Sequence, residues 1–326
     1  MKINRKFCVA PMLDWTDRHC RYFLRLISQH SVLYSEMITT GAILYGDTER
    51  HLAMSAQEQP VALQLGGSDP NDLAAACKIA DNYAYSEINL NCGCPSDRVQ
   101  NGMFGAVMMK NAKITADCVA AMIDATTLPV TVKHRIGVDD FDSYDFLCQF
   151  VGTVAASGCS TFLVHARKAW LQGLSPKQNR EVPELNYDRV YQLKKDFPDL
   201  EFIINGGIST LDESVTHLNN IDGVMLGREA YTNPYILSQV DRIIYGDEKP
   251  IKTREKIAEE FVEYVDNEMV KGVKLNAMTR HILGLYHGMP GARQFRRHIS
   301  ENAYKSTATI DVLINALKFT SGASTR

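Results

Sequence analysis

Eight short apolar runs punctuate the chain up to Val240. They are KFCVA (6–10), VLYSEM (32–37), VALQLG (61–66), EINLN (87–91), VTVKHR (130–135), TFLVHA (161–166), EFIING (201–206) and GVMLGR (223–228). They are near-continuous rather than alternating, the pattern of parallel strands covered on their outer face. Stretches of helical periodicity lie between them. Residues 69–83 place Leu73, Cys77 and Ala80 at helical spacing, with Asp69 as a cap and Pro70 in the first turn. Residues 114–126 and 187–197 behave alike. Eight strand–helix units predict an α/β protein, a (β/α)8 barrel of the TIM type. A doubly wound open sheet is the runner-up, but it would rarely need eight parallel strands and would more often open with a glycine-rich first turn. After about Ile244 the strand pattern stops. Residues 253–272, 275–288, 292–304 and 308–320 read as helices, with Thr253 as a cap, a stripe of Ile257, Phe261 and Val265, and GMPG (288–291) as a turn. The prediction is a barrel domain over 1–244 and an all-helical domain over 245–326.

Composition narrows the class. The 326 residues are 45% hydrophobic and 22% charged, as in soluble globular proteins. There is no apolar run long enough for a membrane span, and the N-terminal apolar stretch before Pro11 and Asp14 is too short for a signal peptide. A cytoplasmic protein is expected, with no membrane partner and no obligate protein partner evident, so a monomer. Eight cysteines occur, none in a CxxC pair and none beside a His cluster at zinc spacing, so no metal is expected. Most of the thiols read as reduced, buried small hydrophobes. Net charge is −3, but unevenly spread: Met1–Val240 holds 21 basic and 27 acidic residues, Val270–Arg326 holds 9 and 2. A basic end on an acidic protein is a footprint for a polyanion, with a solvated surface as the plainer reading.

Barrels of this kind place their chemistry at the C-terminal ends of the strands. Here those ends hold APMLDWTD, Gln64, Asn91 with Cys94, Lys133 with His134 and Arg135, His165, Asn205-Gly206-Gly207 and Gly227-Arg228. So many polar groups on one rim are hard to explain as isolated structural residues. The glycine-rich ends follow strands seven and eight, where backbone N–H groups approach an anion closely and Arg228 adds a charged fork. A tight turn is the plainer reading of a GG pair. A phosphate-bearing cofactor fits the position. Flavin mononucleotide (FMN) offers a phosphate tail and a ring whose reduced, anionic form a lysine would stabilise, while Gln64 could bond the imide edge of a planar heterocycle. No GxGxxG follows any strand, which argues against a dinucleotide fold.

The stretch N-x-N-x-G-C-P, Asn89 to Pro95, followed by Gly102 and Gly105-Ala106, resembles the signature of the tRNA-dihydrouridine synthases. The resemblance continues through APMLDWTDRHCR (10–21), VALQLGG (61–67), VKHRIGVDD (132–140), LVHAR (163–167), IINGGI (203–208) and GVMLGREAYTNPYI (223–236), and so covers nearly the whole chain. Residues 165–187 and 287–300 are similar to the A subfamily, which acts on D-loop uridines 20 and 20a. The resemblance implies an FMN-binding barrel with a helical C-terminal domain, NADPH as reductant and tRNA as substrate. It implies hydride transfer from reduced FMN to C6 of uridine and a proton from Cys94 to C5. By the same resemblance Pro11, Met12 and Leu13 lie beside the flavin. Gln64, Lys133 and His165 contact its ring or ribityl chain, and Asn205, Gly206, Gly207, Gly227 and Arg228 hold its phosphate end. Asn91 faces the target uracil, and Lys177, Arg180, Arg293 and Arg296 contact tRNA.

The chemistry is sound as far as residues reach. An ordinary thiol is mostly protonated at neutral pH and can act as a general acid. Alternation along an extended segment points Cys92 and Cys94 the same way, so the family motif alone selects Cys94. A metal or disulfide pair of the two, or a structural thiol, are the competing readings. Arg293, Arg296 and Arg297 are spaced i, i+3, i+4 on one helical face, as tracking a phosphate backbone requires. A flavin oxidoreductase of a free pyrimidine explains the barrel and Cys94 but leaves the basic end without a purpose. An RNA-binding scaffold without catalysis is the third reading.

Overall fold

Every one of the eight apolar runs forms a strand. They are β1 (Phe7–Val9), β2 (Val32–Thr39), β3 (Val61–Gly66), β4 (Glu87–Cys92), β5 (Val130–Arg135), β6 (Thr161–His165), β7 (Glu201–Asn205) and β8 (Gly223–Leu226). The computed structural model describes residues 3–96, 99–100 and 102–320. The strands pair in chain order, all parallel, and β1 closes the barrel by pairing with β8. Closure removes both sheet edges, so no strand presents unpaired backbone to solvent. Helices alternate with the strands as expected. That over Pro70–Ala80 starts where Asp69 accepts from the N–H groups of Asn71 at 2.8 Å and Asp72 at 3.1 Å.

The inside of the barrel is layered. A middle layer is apolar, built from Cys8, Val32, Tyr34, Ala62, Leu163, Ile203 and Met225. Below it, at the N-terminal ends of the strands, Arg5 is held between Glu87 (2.6 Å) and Glu201 (2.8 Å). Above it the mouth is polar: Gln64 lies level with Asn89, Asn91 with Lys133, and Asn205 with His165. A barrel interior is ordinarily filled by branched apolar side chains, so polar layers at both ends need a reason.

By packing, the chain divides into two compact units. One is Met1–Leu13 with Val32–Gly227 and holds all eight strands. The other is Asp14–Ser31 with Arg228–Arg326. The division falls at Gly227, earlier than the boundary near Ile244 expected from the pattern. It also gathers the helix Arg18–Ile27, which follows β1 in the chain, with the later helices. The reason is aromatic packing: Phe23 tilts against Phe261 at 5.0 Å, and Tyr22 stacks on Tyr264 at 3.8 Å. Ile257, Phe261 and Val265, the expected stripe, are buried on the helix Arg254–Val270. The helix expected over 275–288 is instead a short helix, Leu275–Thr279, and a 3-10 turn, Ile282–Gly284. Polar tertiary contacts override the periodicity there: Asp17 takes the guanidinium of Arg280 at 2.5 Å and the ring of buried His281 at 3.0 Å. The last helix is confined to Asp311–Leu317, and positions 321–326 of the expected domain lie outside the described residues. No helix among the described residues is long and apolar enough to cross a membrane.

Candidate active site

The mouth of the barrel is organised around the turn that follows β4. The strand ends at Cys92, and the chain bends through Gly93 to Cys94. Asn91 makes the bend: its side-chain oxygen accepts from Gly93 N at 3.1 Å and Cys94 N at 3.0 Å. An Asn side chain capping its own turn fixes the two following residues. The carbonyl of Cys94 accepts from Ala106 N at 2.9 Å. Gly105 must be glycine for this, because φ is +77° and a Cβ would lie 2.5 Å from the Cys94 oxygen.

The two cysteines of the motif separate clearly. Cys92 is fully buried at the end of its strand, and burial pushes its thiol well above the usual range. Cys94 is partly exposed, with Sγ 3.5 Å from Ser96 Oγ. Alternation does not survive the turn, which is why periodicity could not distinguish them. Both are free thiols. Among the described residues no group of three or more His, Cys, Asp or Glu is placed to hold a metal ion.

Cations gather beside the thiol. Lys133 reaches Asn205 Oδ1 at 3.1 Å, and no carboxylate among the described residues pairs with it. It is still partly open to solvent. Burial first, and then the Arg135 cation, push its ammonium down to about 7, against a smaller upward pull from Cys94. This has a measurable consequence in the protein stripped of ligand. The unfolded lysine titrates near its ordinary value of 10.5, so above about 7 the unfolded chain binds the extra proton. Stability should therefore be penalised most below about pH 7 and rise through the window above it. Thermal melts of Lys133→Met across that window should be flatter than those of the parent; equal slopes would remove Lys133 as the cause.

Arg135 is buried and has carbonyls rather than carboxylates for partners. Its Nε donates to Gly93 O at 3.1 Å, and Nη1 to Asn179 O at 2.8 Å and Lys168 O at 3.3 Å. Burial pushes this guanidinium down to about 10. It ties the Cys94 turn to the loop after β6. Gln100 makes a second tie, donating to Pro95 O at 2.7 Å and Leu171 O at 2.6 Å. Neither role was legible in the sequence, since both act through backbone carbonyls of distant segments.

His165 ends β6 within this positive field. Burial, then Arg135, Lys133, Arg167 and Arg180, drive its imidazole well below the ordinary value, so the ring is neutral. Its Nδ1 is buried with no hydrogen-bond partner. An orphaned polar atom in a cationic mouth fits an anionic, hydrogen-bonding ligand.

The remaining expected residues fall as follows. Gln64 is buried with its amide shared between Asn89 and Asn91. Asn205 bridges Lys133 (3.1 Å) and the Met225 carbonyl (2.8 Å). Gly206 and Gly207 have φ of +116° and +74°, and Leu185 fills the space where their side chains would be. Gly227 is open, with Ala10 Cβ 3.9 Å from where its Cβ would be. Pro11 and Met12 are half-buried and Leu13 is exposed. Lys177 precedes and Arg180 ends the 3-10 turn Gln178–Arg180 after β6, and both are exposed. Arg228 opens a short helix in the second unit and is exposed, as are Arg293 and Arg296 on the helix Ala292–Asn302. On that helix Arg297 is paired with Glu301 at 2.7 Å, whereas Arg293 and Arg296 make no ion pair among the described residues.

Comparison with known proteins agrees with this geometry. Solved structures of similar fold include the 2-naphthoyl-CoA reductase complex with 2-naphthoyl-CoA, at TM-score 0.56 and 9% identity over 74% of this chain and 51% of that one. A second is the old yellow enzyme homologue from Zymomonas mobilis, at TM-score 0.54 and 10% identity over 76% and 90%. Such distant likeness concerns the barrel fold alone. Sequence relatives are far closer. The tRNA-dihydrouridine(20/20a) synthase of Escherichia coli K12 is 59% identical over 96% of this chain and 91% of its own. Those of Yersinia pestis and Vibrio cholerae are 58% and 57% identical, over 97% and 96% of this chain and 92% and 95% of theirs. Residues 8–321 match the dihydrouridine synthase (Dus) family. With that match and relatives at 57–59% identity running along nearly its full length, the chain belongs to the dihydrouridine synthases.

Proposed function

We propose that this protein reduces uridine to 5,6-dihydrouridine in the D-loop of tRNA, at positions 20 and 20a, with FMN as cofactor and NADPH as reductant. The observation that carries the reading is identity of 57–59% along almost the whole chain to tRNA-dihydrouridine(20/20a) synthases, together with a partly exposed thiol held at the barrel mouth.

The residues present fit a flavin. The orphaned Nδ1 of His165, the lysine without a carboxylate and the open face of Gly227 supply a hydrogen-bonding atom, a cation and room for close backbone approach. Reduced FMN, when bound, supplies a hydride for C6 of the uracil. Lys133, Gln64 and His165 would hold its ring or ribityl chain, and Asn205, Gly206, Gly207, Gly227 and Arg228 its phosphate end. Pro11, Met12 and Leu13 would line it. Cys94 holds the proton for C5 at Sγ, and Asn91 fixes where that sulfur stands and faces the uracil with its remaining N–H. The target base must leave its stack to enter the mouth. Lys177, Arg180, Arg293 and Arg296 would track the tRNA backbone.

NADPH consumption with tRNA lacking modifications, against the same tRNA already carrying dihydrouridine, tests the reading. Consumption above background with the unmodified tRNA alone is expected. A yellow protein indifferent to tRNA would leave an oxidoreductase of a free pyrimidine instead. Arg293→Ala with Arg296→Ala should weaken tRNA use and lower the salt slope of binding by roughly one to two. NADPH oxidation by an artificial acceptor should stay at parental rate. If both activities fall together, the patch is structural.

A further inference from the structure

One chain of hydrogen bonds runs the depth of the barrel. On β4, Glu87, Asn89 and Asn91 face the interior at alternate positions, and β3 and β5 place Gln64 and Thr131 beside Asn89. Starting at the mouth, Cys94 N donates to Asn91 Oδ1 at 3.0 Å. Asn91 Nδ2 donates to Gln64 Oε1 at 2.8 Å, and Gln64 Nε2 to Asn89 Oδ1 at 2.7 Å. Asn89 Nδ2 donates to Thr131 Oγ1 at 2.8 Å, and Thr131 Oγ1 to Glu87 Oε1 at 2.6 Å. All five links point the same way, from mouth to floor.

The sense of the chain is set at its lower end. Glu87 is fully buried and ion-paired with Arg5, so its oxygens accept and do not donate. Thr131 has one proton and must give it to Glu87. Its lone pair then faces Asn89, which must turn its NH2 toward it and its oxygen toward Gln64. The same logic orients Gln64 and then Asn91. An amide turned over would set donor against donor and acceptor against acceptor in a dry interior, where unmade bonds are expensive.

We propose that Glu87 and Thr131, at the floor of the barrel, are positioning residues for the site at its mouth: they dictate which way the Gln64 and Asn91 amides face and thereby hold the Cys94 turn. The Asn91 oxygen is filled by Gly93 N and Cys94 N, so what Asn91 keeps for a ligand is an N–H, not a carbonyl. The inference rests on the uridine-reducing reading for its kinetic arm alone.

Thr131→Val keeps the shape and removes the hydroxyl. Two readouts are taken at a temperature where parent and variant are folded. One is kcat with saturating tRNA. The other is the rate at which iodoacetamide alkylates Cys94 without tRNA, followed by the mass of the Cys94 peptide. Thr131→Val should lower kcat 10-fold or more with KM for tRNA unchanged, and change the alkylation rate at least 3-fold. Thr131→Ser should restore both. Tyr34→Phe removes a different bond to the same Glu87 oxygen (2.6 Å) without cutting the chain, and should leave both at parental values. Parental kcat and alkylation in Thr131→Val, or equal loss in Tyr34→Phe, would overturn the proposal. If Thr131→Val does not fold, Glu87→Gln replaces it, because its amide can donate to Thr131 and release the sense of the chain; the same outcomes decide. A parent inactive on tRNA would sink the functional reading, while the alkylation comparison would still judge this one.

Discussion

Cys94→Ala should lower the rate of uridine reduction by roughly 10²–10⁴-fold, the usual worth of a positioned general acid. Flavin retention, tRNA binding and NADPH oxidation by an artificial acceptor should remain at parental levels. The structure explains why the loss would be confined to one step. Cys94 is partly exposed at the end of a turn whose backbone is bound into the fold through Asn91, Ala106 and the neighbouring Gly93 carbonyl, while its sulfur makes one long bond, to Ser96 Oγ at 3.5 Å. Removing Sγ therefore leaves the turn standing. Cys92→Ala makes the contrast: that thiol is fully buried, so its loss should cost stability through a small cavity and leave the rate alone. Single-turnover reduction of tRNA, measured for both variants, separates the two. Parental turnover in Cys94→Ala would end its assignment as the proton donor.

The second large effect concerns stability. Arg5→Met should destabilise the protein by about 3–5 kcal/mol, the cost of breaking a buried pair by removing one partner. Arg5 is buried, and burial opposes its charge. The Glu87 carboxylate, with Tyr34 and Glu201 behind it, outweighs that and holds the guanidinium above its ordinary value. Without Arg5, Glu87 keeps its bonds from Tyr34 and Thr131 (both 2.6 Å), but its charge has no counterpart. Adding Glu87→Gln to Arg5→Met should recover part of the loss, because the stranded charge is gone. Denaturant unfolding of parent, single and double variants measures this directly. A single variant within about 0.5 kcal/mol of the parent would mean that the Arg5 cation is not what offsets the buried Glu87 charge.

The sequence already contained the strands, their order and the cysteine. β3 and β5 occupy the predicted positions to the residue, because VALQLG is a short apolar run and VTVKHR opens on three β-branched residues, both suited to buried strands. Asp69 and Thr253 cap their helices as expected, since capping is local chemistry. The E-x-N-x-N alternation of β4 was visible too, but its meaning was not. Those three side chains bond to Gln64, Thr131, Tyr34 and Arg5, which lie between 25 and 82 positions away.

What the sequence by itself determined is whatever depends on near neighbours: strand and helix periods, caps, turns and the motif around Cys94. Tertiary structure alone decided which of two adjacent cysteines faces the mouth, that Arg135 and Gln100 tie the Cys94 turn to the loop after β6, and that residues 275–288 break rather than continue as helix. Each of these turns on partners far apart in the chain, drawn together by closure of the barrel or by a buried carboxylate. Such contacts leave no period in the sequence, because a hydrogen bond to a distant carbonyl places no demand on the residues beside it.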